Sequence, residues 1–207
     1  TRYIGDWSSD VCSSDLFFTW GQGNLVFFDN NGNVQSSQGL NEYMAQGYRV
    51  KYADESIFIS GLSEEASNFI LVKMDLEGNV IWDQSYGGNS DDHCFGMDVN
   101  PNGEIFLVGH TLSGTENWDT YTIKIDFDGA LLWERSIGNP RGFDPEYIHD
   151  EAWGVKATND GGCVTIAGTG DEYNYSECDG NDCSDTWHAY LLKFSSDRKS
   201  TRLNSSH

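Results

Sequence analysis

The sequence predicts an all-β fold, a partial β-propeller built from four-stranded antiparallel blades of about 50 residues. Three observations predict it. The chain repeats itself internally. Each repeat is four short apolar runs separated by turn residues. No window carries a sustained 3.6-residue apolar period, so amphipathic helices are not expected.

The repeat comes first. DDHCFGMDVNPNGEIFLVGHT (91–111) aligns without a gap to HDEAWGVKATNDGGCVTIAGT (149–169) at an offset of 58 residues. Gly96 meets Gly154, Gly103 meets Gly161 and Thr111 meets Thr169. NFILVKMDLEGNVIWDQSYGG (68–88) aligns to DTYTIKIDFDGALLWERSIGN (119–139) at an offset of 51. Lys73, Asp75, Gly78 and Trp82 meet Lys124, Asp126, Gly129 and Trp133. A further copy begins at WHAYLLKFSS (187–196), a degenerate one near NLVFFDNNGNV (24–34), and residues 47–61 repeat the first half with one extra residue.

The elements follow in order. Strand a is expected at about 93–99 and 151–157, strand b at 104–109 and 162–168, strand c at 120–126 and 187–194, and strand d at 130–136. Runs such as IFLVG, YTIKID and CVTIAG are β-branched and aromatic, as strands require. NPNGE, NDGG, DLEGN and DFDGA hold the Gly, Asn and Asp of tight hairpins. One blade cannot bury both its faces, so blades must stack around an axis. The chain is expected to hold the end of one blade, two full blades and three strands of a fourth, with further blades needed to close a wheel.

The two ends read differently. DWSSDVCSSDL (6–16) and DRKSTRLNSS (197–206) can be back-translated into complementary strands of one DNA stretch. Two ends of a natural protein have no reason to be complementary, and the stretch matches a common sequencing-library adapter. Residues 1–16 and 197–207 are therefore expected to be translated adapter, with the propeller confined to 17–196.

Setting the ends aside leaves the net charge of −21 unchanged, because they carry as many acidic as basic residues. Lys and Arg are too few for the basic patches that nucleic acid or an anionic membrane surface demands, so neither partner is expected. No window approaches the roughly 20 apolar residues of a membrane-spanning helix. Cys94 and Cys163 lie inside strands and are expected to act as small buried hydrophobes. Cys178 and Cys183 flank the turn DGND and are expected to form a disulfide in an oxidising compartment.

The K-x-D-x-x-G-x-x-x-W strand pair (Lys73 to Trp82, Lys124 to Trp133), followed by Gly-Gly and a D-G-G hairpin, resembles secreted β-propeller repeat proteins of the PQQ-like and related families. The resemblance covers nearly all of 24–196 and implies a secreted or cell-surface location. It does not extend to the quinone, whose ligand signature is missing. Trp82 and Trp133 are expected to fill the space between blades. Lys73 and Lys124, each two residues before an Asp, are expected to form a recurring structural ion pair.

Function is expected on one end of the blades. The a–b and c–d hairpins are short, whereas the b–c and d–a connections are long (TLSGTENWDT, 138–151 and 168–187). Long loops on a rigid scaffold concentrate binding groups. Trp118, Tyr173 and Tyr175 are the candidates for ligand contact. Arg141, Tyr147 and His149 could abstract a proton and neutralise charge, as a polysaccharide lyase needs, and His93 and His110 are further candidates. Asp171, Glu177, Asp179, Asp182 and Asp185 form an oxygen-rich loop suited to Ca²⁺. The leading expectation is a non-catalytic extracellular propeller that presents a face to a carbohydrate or protein ligand. The alternatives are a carbohydrate-active enzyme such as a polysaccharide lyase, and a purely structural repeat segment.

Overall fold

The computed structural model describes residues 14–19, 24–63, 67–115, 117–138, 148–171, 187–197 and 200–203. These residues form fifteen strands and no helix. The first sheet is β1 (Ser14–Thr19), β2 (Asn24–Asp29) and β3 (Val34–Gly39). Three four-stranded antiparallel sheets follow. The second blade is β4 (Gln46–Ala53), β5 (Ser56–Leu62), β6 (Phe69–Met74) and β7 (Val80–Tyr86). The third is β8 (Asp92–Asn100), β9 (Glu104–Thr111), β10 (Asp119–Asp126) and β11 (Leu131–Ile137). The fourth is β12 (Ile148–Ala157), β13 (Cys163–Asp171), β14 (Trp187–Phe194) and β15 (Ser200–Leu203).

In each four-stranded sheet the strands lie in chain order and pair only with their neighbours. β8 packs beside both β4 and β12, so the a strands form the inner edge of the stack. The d strands lie outside and leave Ile81, Leu131 and Leu132 exposed. Consecutive meanders with their first strands side by side are β-propeller blades.

The last blade has four strands where three were expected. β15 lies in the segment expected to be translated adapter, and Ser14, Asp15 and Leu16 of β1 do as well. An unpaired strand edge offers a row of N–H and C=O groups that any extended segment can satisfy whatever its side chains. β15 meets β14 in that way, from Leu191↔Leu203 to Phe194↔Ser200.

The repeated turn residues do local work. Asp29, Asp75 and Asp126 end their c strands and accept backbone N–H groups of the c–d turn, from Asn33 (2.8 Å), Asn79 (2.8 Å) and Ala130 (2.8 Å). Gly32, Gly78 and Gly129 take the positive φ that these turns need. Lys73 and Lys124 therefore do not pair with the Asp two residues on, because those carboxylates are committed to the turn. Each lysine instead reaches the following blade. Lys73 Nζ donates to the Phe127 carbonyl (3.0 Å), and Lys124 Nζ donates to the Gly161 carbonyl (3.1 Å) while pairing with Glu104 (2.5 Å).

The core lies between blades rather than within them. One cluster joins Leu25 to Ile57, Ile59 and Val72, across the first and second blades. Another joins Phe58, Phe69 and Leu71 to Leu107, Tyr121 and Ile123, across the second and third. The last joins Phe106 and Val108 to Ala152, Leu192 and Phe194, across the third and fourth. Trp82 and Trp133 occupy the expected gaps. The Trp82 ring lies against Gly129, and Trp133 packs on Phe194 and donates Nε1–H to the Ser196 carbonyl (3.2 Å). Cys94 and Cys163 are buried free thiols, and burial pushes each up to about 12.

One buried carboxylate ties three blades together. Asp98 of β8 pairs with Lys51 of β4 (3.0 Å) and Lys156 of β12 (2.9 Å), and accepts the Ala157 N–H (2.8 Å). Burial opposes its charge, but Lys156, the Ala157 N–H and Lys51 outweigh burial and hold it below the usual carboxylate range.

Candidate functional site

The a strands share a local irregularity. Register slips by one residue between Gly47 and Arg49 in β4, between Cys94 and Gly96 in β8, and between Ala152 and Gly154 in β12. Each slip is a β-bulge, which bends the strand and re-aims the extra side chain. The three extra residues are Tyr48, Phe95 and Trp153. Their rings form a row from blade to blade, with centroids 5.2 Å apart for Tyr48–Phe95 and 4.6 Å for Phe95–Trp153. Close approach of the inner strands depends on Gly96. A Cβ there would stand 3.0 Å from the Gly154 Cα and 2.7 Å from Val108.

Next to the bulge, β8 and β9 bring two histidines together. His93 and His110 are direct cross-strand partners, and His93 Nδ1 lies 3.1 Å from His110 Nε2. At Gly109, beside His110, a Cβ would sit 1.7 Å from the His93 carbonyl, so only glycine permits this pairing. His110 is 4% exposed, and its Nδ1 is buried without a hydrogen-bond partner. Burial pushes His110 down to about 3, with His93 and His149 adding to the effect. Burial also lowers His93, against the pull of Asp91 and Asp92. Both imidazoles are neutral at physiological pH.

Trp118, from the b–c connection, closes the group. Its ring lies 4.5 Å from His110 edge-to-face and 4.8 Å from His93. Its carbonyl accepts the Asp150 N–H (2.7 Å), which fastens the loop of one blade to the a strand of the next. Phe95 stands 5.1 Å from His110.

A buried aspartate underlies the same end. Asp92 accepts Thr111 Oγ1, the Gly88 N–H (2.7 Å) and Ser113 Oγ (3.1 Å), so it joins the d–a and b–c connections. Its repeat equivalent Asp150 accepts Tyr190 Oη (3.1 Å). Asp119 lies near Asp150, and burial followed by that like charge raises it to about 6. A polar cleft of about 290 Å³ opens beside this network between Gly88, Ser113, Tyr121 and Arg135.

The structure thus gathers His93 and Trp118 into one cluster on the end bearing the b–c and d–a connections, with His149 close enough to act on His110 electrostatically. Arg141, Tyr147, Tyr173, Tyr175, Glu177, Asp179, Asp182, Asp185, Cys178 and Cys183 lie outside the described residues, as does the side chain of Asp171. Among the described residues, no three His, Cys, Asp or Glu side chains converge as metal ligands do. His93 and His110 were each candidates from the sequence, but their pairing across β8 and β9 was not read from it, and neither was the aromatic row. Phe95 and Trp153 do align in the repeat, and a hairpin turning at 101–103 brings residues near 93 and 110 opposite each other.

No protein-family model matches the chain, and no curated protein matches it in sequence. Among solved structures, a protein of unknown function from Bacteroides caccae superposes with a TM-score of 0.53 at 9% identity, covering 93% of this chain and 57% of that one. The WD40 domain of Neurospora crassa Pan2 gives a TM-score of 0.47 at 12% identity, covering 88% of this chain and 60% of that one. The chain spans less than two thirds of either structure. The superposition on the Bacteroides caccae protein shows likeness of fold alone. The strand order makes that fold a set of consecutive β-propeller blades.

Proposed function

We propose that the chain is part of a secreted propeller, akin to the PQQ-like repeat proteins, that binds an extracellular ligand without transforming it. The ligand seat is the end of the inner strands that carries the b–c and d–a connections. The observation that supports this most is the aromatic row on the three bulges, continued by Trp118 and the histidine pair. A bulge interrupts strand pairing, and repeating one at the same place on three strands serves to aim side chains. Aromatic rings on a rigid frame offer large contact area at small entropic cost.

The test is an array of glycans and extracellular proteins probed with the labelled chain and with a Trp118→Ala, Phe95→Ala double variant of matched melting temperature. The expected result is a set of bound features that the double variant loses. A wild-type chain that binds nothing contradicts the reading. Release of unsaturated or reducing products from a bound glycan would make the protein an enzyme, with His149 the first residue to substitute.

A further inference from the structure

We infer that the ligand at this end of the inner strands is a neutral sugar, stacked on Trp118 and the bulged aromatic row and hydrogen-bonded by His93, which His110 orients. This rests on the binding reading above and names its ligand class.

Shape comes first. Trp118, Phe95 and Trp153 are joined through His110 into one continuous group of rings. Ring faces are apolar and weakly negative, and they suit the C–H faces of a pyranose. Trp153 is 49% exposed, and Trp118 and Phe95 are half-buried, so the group is a platform reachable from solvent.

Charge comes second. Asp91 and Asp92 act on His93, and Asp119 and Asp150 lie under the same end. The nearby Arg49 directs its Nη1 to the Tyr48 carbonyl (2.8 Å). With both imidazoles neutral and the chain at −21, an anionic ligand meets repulsion here.

Hydrogen-bond polarity separates a sugar from a cation. In a neutral histidine pair one ring donates and the other accepts. A buried N–H without a partner is costlier than a buried lone pair, so the Nδ1 of His110 carries no hydrogen. His110 Nε2–H then donates to His93 Nδ1, and the remaining proton of the pair sits on His93 Nε2. A hydroxyl oxygen can accept that N–H. An ammonium group has no lone pair to do so.

The experiment is a tryptophan-fluorescence titration of the full chain at low salt. The probes are four neutral hexasaccharides (cellohexaose, laminarihexaose, maltohexaose and mannohexaose), hexagalacturonate and tetramethylammonium. A neutral hexasaccharide is expected to give a saturable change. Trp118→Ala is expected to weaken it by about tenfold, as loss of a buried aromatic anchor does. Trp118→Phe should retain most of the affinity, and His93→Ala should weaken it severalfold. Where Trp118→Ala lowers the melting temperature, Trp118→Phe and His93→Ala decide. Saturation by hexagalacturonate or tetramethylammonium alone overturns the inference, as does neutral-sugar binding indifferent to Trp118 and His93. Array binding confined to proteins, yet dependent on Trp118, keeps the binding reading and rejects the sugar. Silence in both experiments rejects both.

Discussion

In the third blade Val108 and Thr122 are cross-strand partners, both buried beneath the fourth blade. In the fourth blade the repeat-equivalent pair is Ile166 and Leu191, and these stand 57% and 38% exposed. The backbone geometry is the same, and the more apolar pair is the exposed one. What differs is the neighbour. No sheet among the described residues covers that face of the fourth blade, whereas the fourth blade covers the third. A blade is therefore half of two cores, and a residue's energetic weight depends on whether the next blade is in place. The cluster of aromatic rings and histidines sits at the covered junction, where Trp118 of the third blade is fastened to Asp150 of the fourth.

The largest effects are expected in the covered core. Phe106→Ala should cost about 3–5 kcal/mol in urea unfolding, because the ring is fully buried between two blades. Val108→Ala should cost about 2 kcal/mol, while Ile166→Ala at the equivalent place should fall within about 0.5 kcal/mol. Equal losses at Val108 and Ile166 would mean that the open face is covered in solution.

Next in size is the ionic tie across the inner strands. Asp98→Ala should cost about 2 kcal/mol at pH 7, less than the roughly 3–5 of a fully enclosed pair, because the released lysines reach solvent. The folded-state pKa of Asp98 is depressed, so its contribution is complete above the ordinary carboxylate range and is lost progressively as pH falls below that range through the lower folded-state value. Wild type and variant should therefore converge only at pH values below the ordinary carboxylate range.

The histidine pair gives a slope rather than a step. His110 is depressed to about 3, so the unfolded chain takes up a proton there before the folded one does. Stability should fall by about 1.4 kcal/mol per pH unit below about 6.5 from this group, and His110→Gln should flatten that limb. The smallest effect has the opposite sign. Asp119 is raised to about 6, which destabilises the fold above that pH and is relieved as pH falls toward 4. Asp119→Asn should stabilise the protein by on the order of 1 kcal/mol at pH 7.5, discounted for partial exposure, and do nothing near pH 3.5.

Much of the fold was legible in the sequence because turn and strand signals act locally. The repeat, its turns and the a to d strands follow from residues close in the chain, and the two tryptophans fall where spacing placed them. What was not legible depends on neighbours across blades. Lys73 and Lys124 looked like partners of Asp75 and Asp126 because the pairs are two residues apart, yet the aspartates are held by turn N–H groups and the lysines span the junction. The Lys51–Asp98–Lys156 tie was hidden in plain view. The three residues occupy one repeat position on successive inner strands and alternate in sign, which an alignment shows only once those strands are known to be adjacent. At the candidate site the end of the blades, His93 and Trp118 were readable from loop length and residue type. The bulges were not, because a one-residue slip in register leaves no mark in composition.

The most direct measurement is hydrogen–deuterium exchange of the full chain with and without saturating neutral hexasaccharide. Slowed exchange is expected at 93–96, 110–118 and 149–154, with the hairpins at 101–103 and 158–162 on the opposite end unchanged. Protection at those hairpins instead, or none at the bulges, would contradict a ligand seat at the b–c and d–a end.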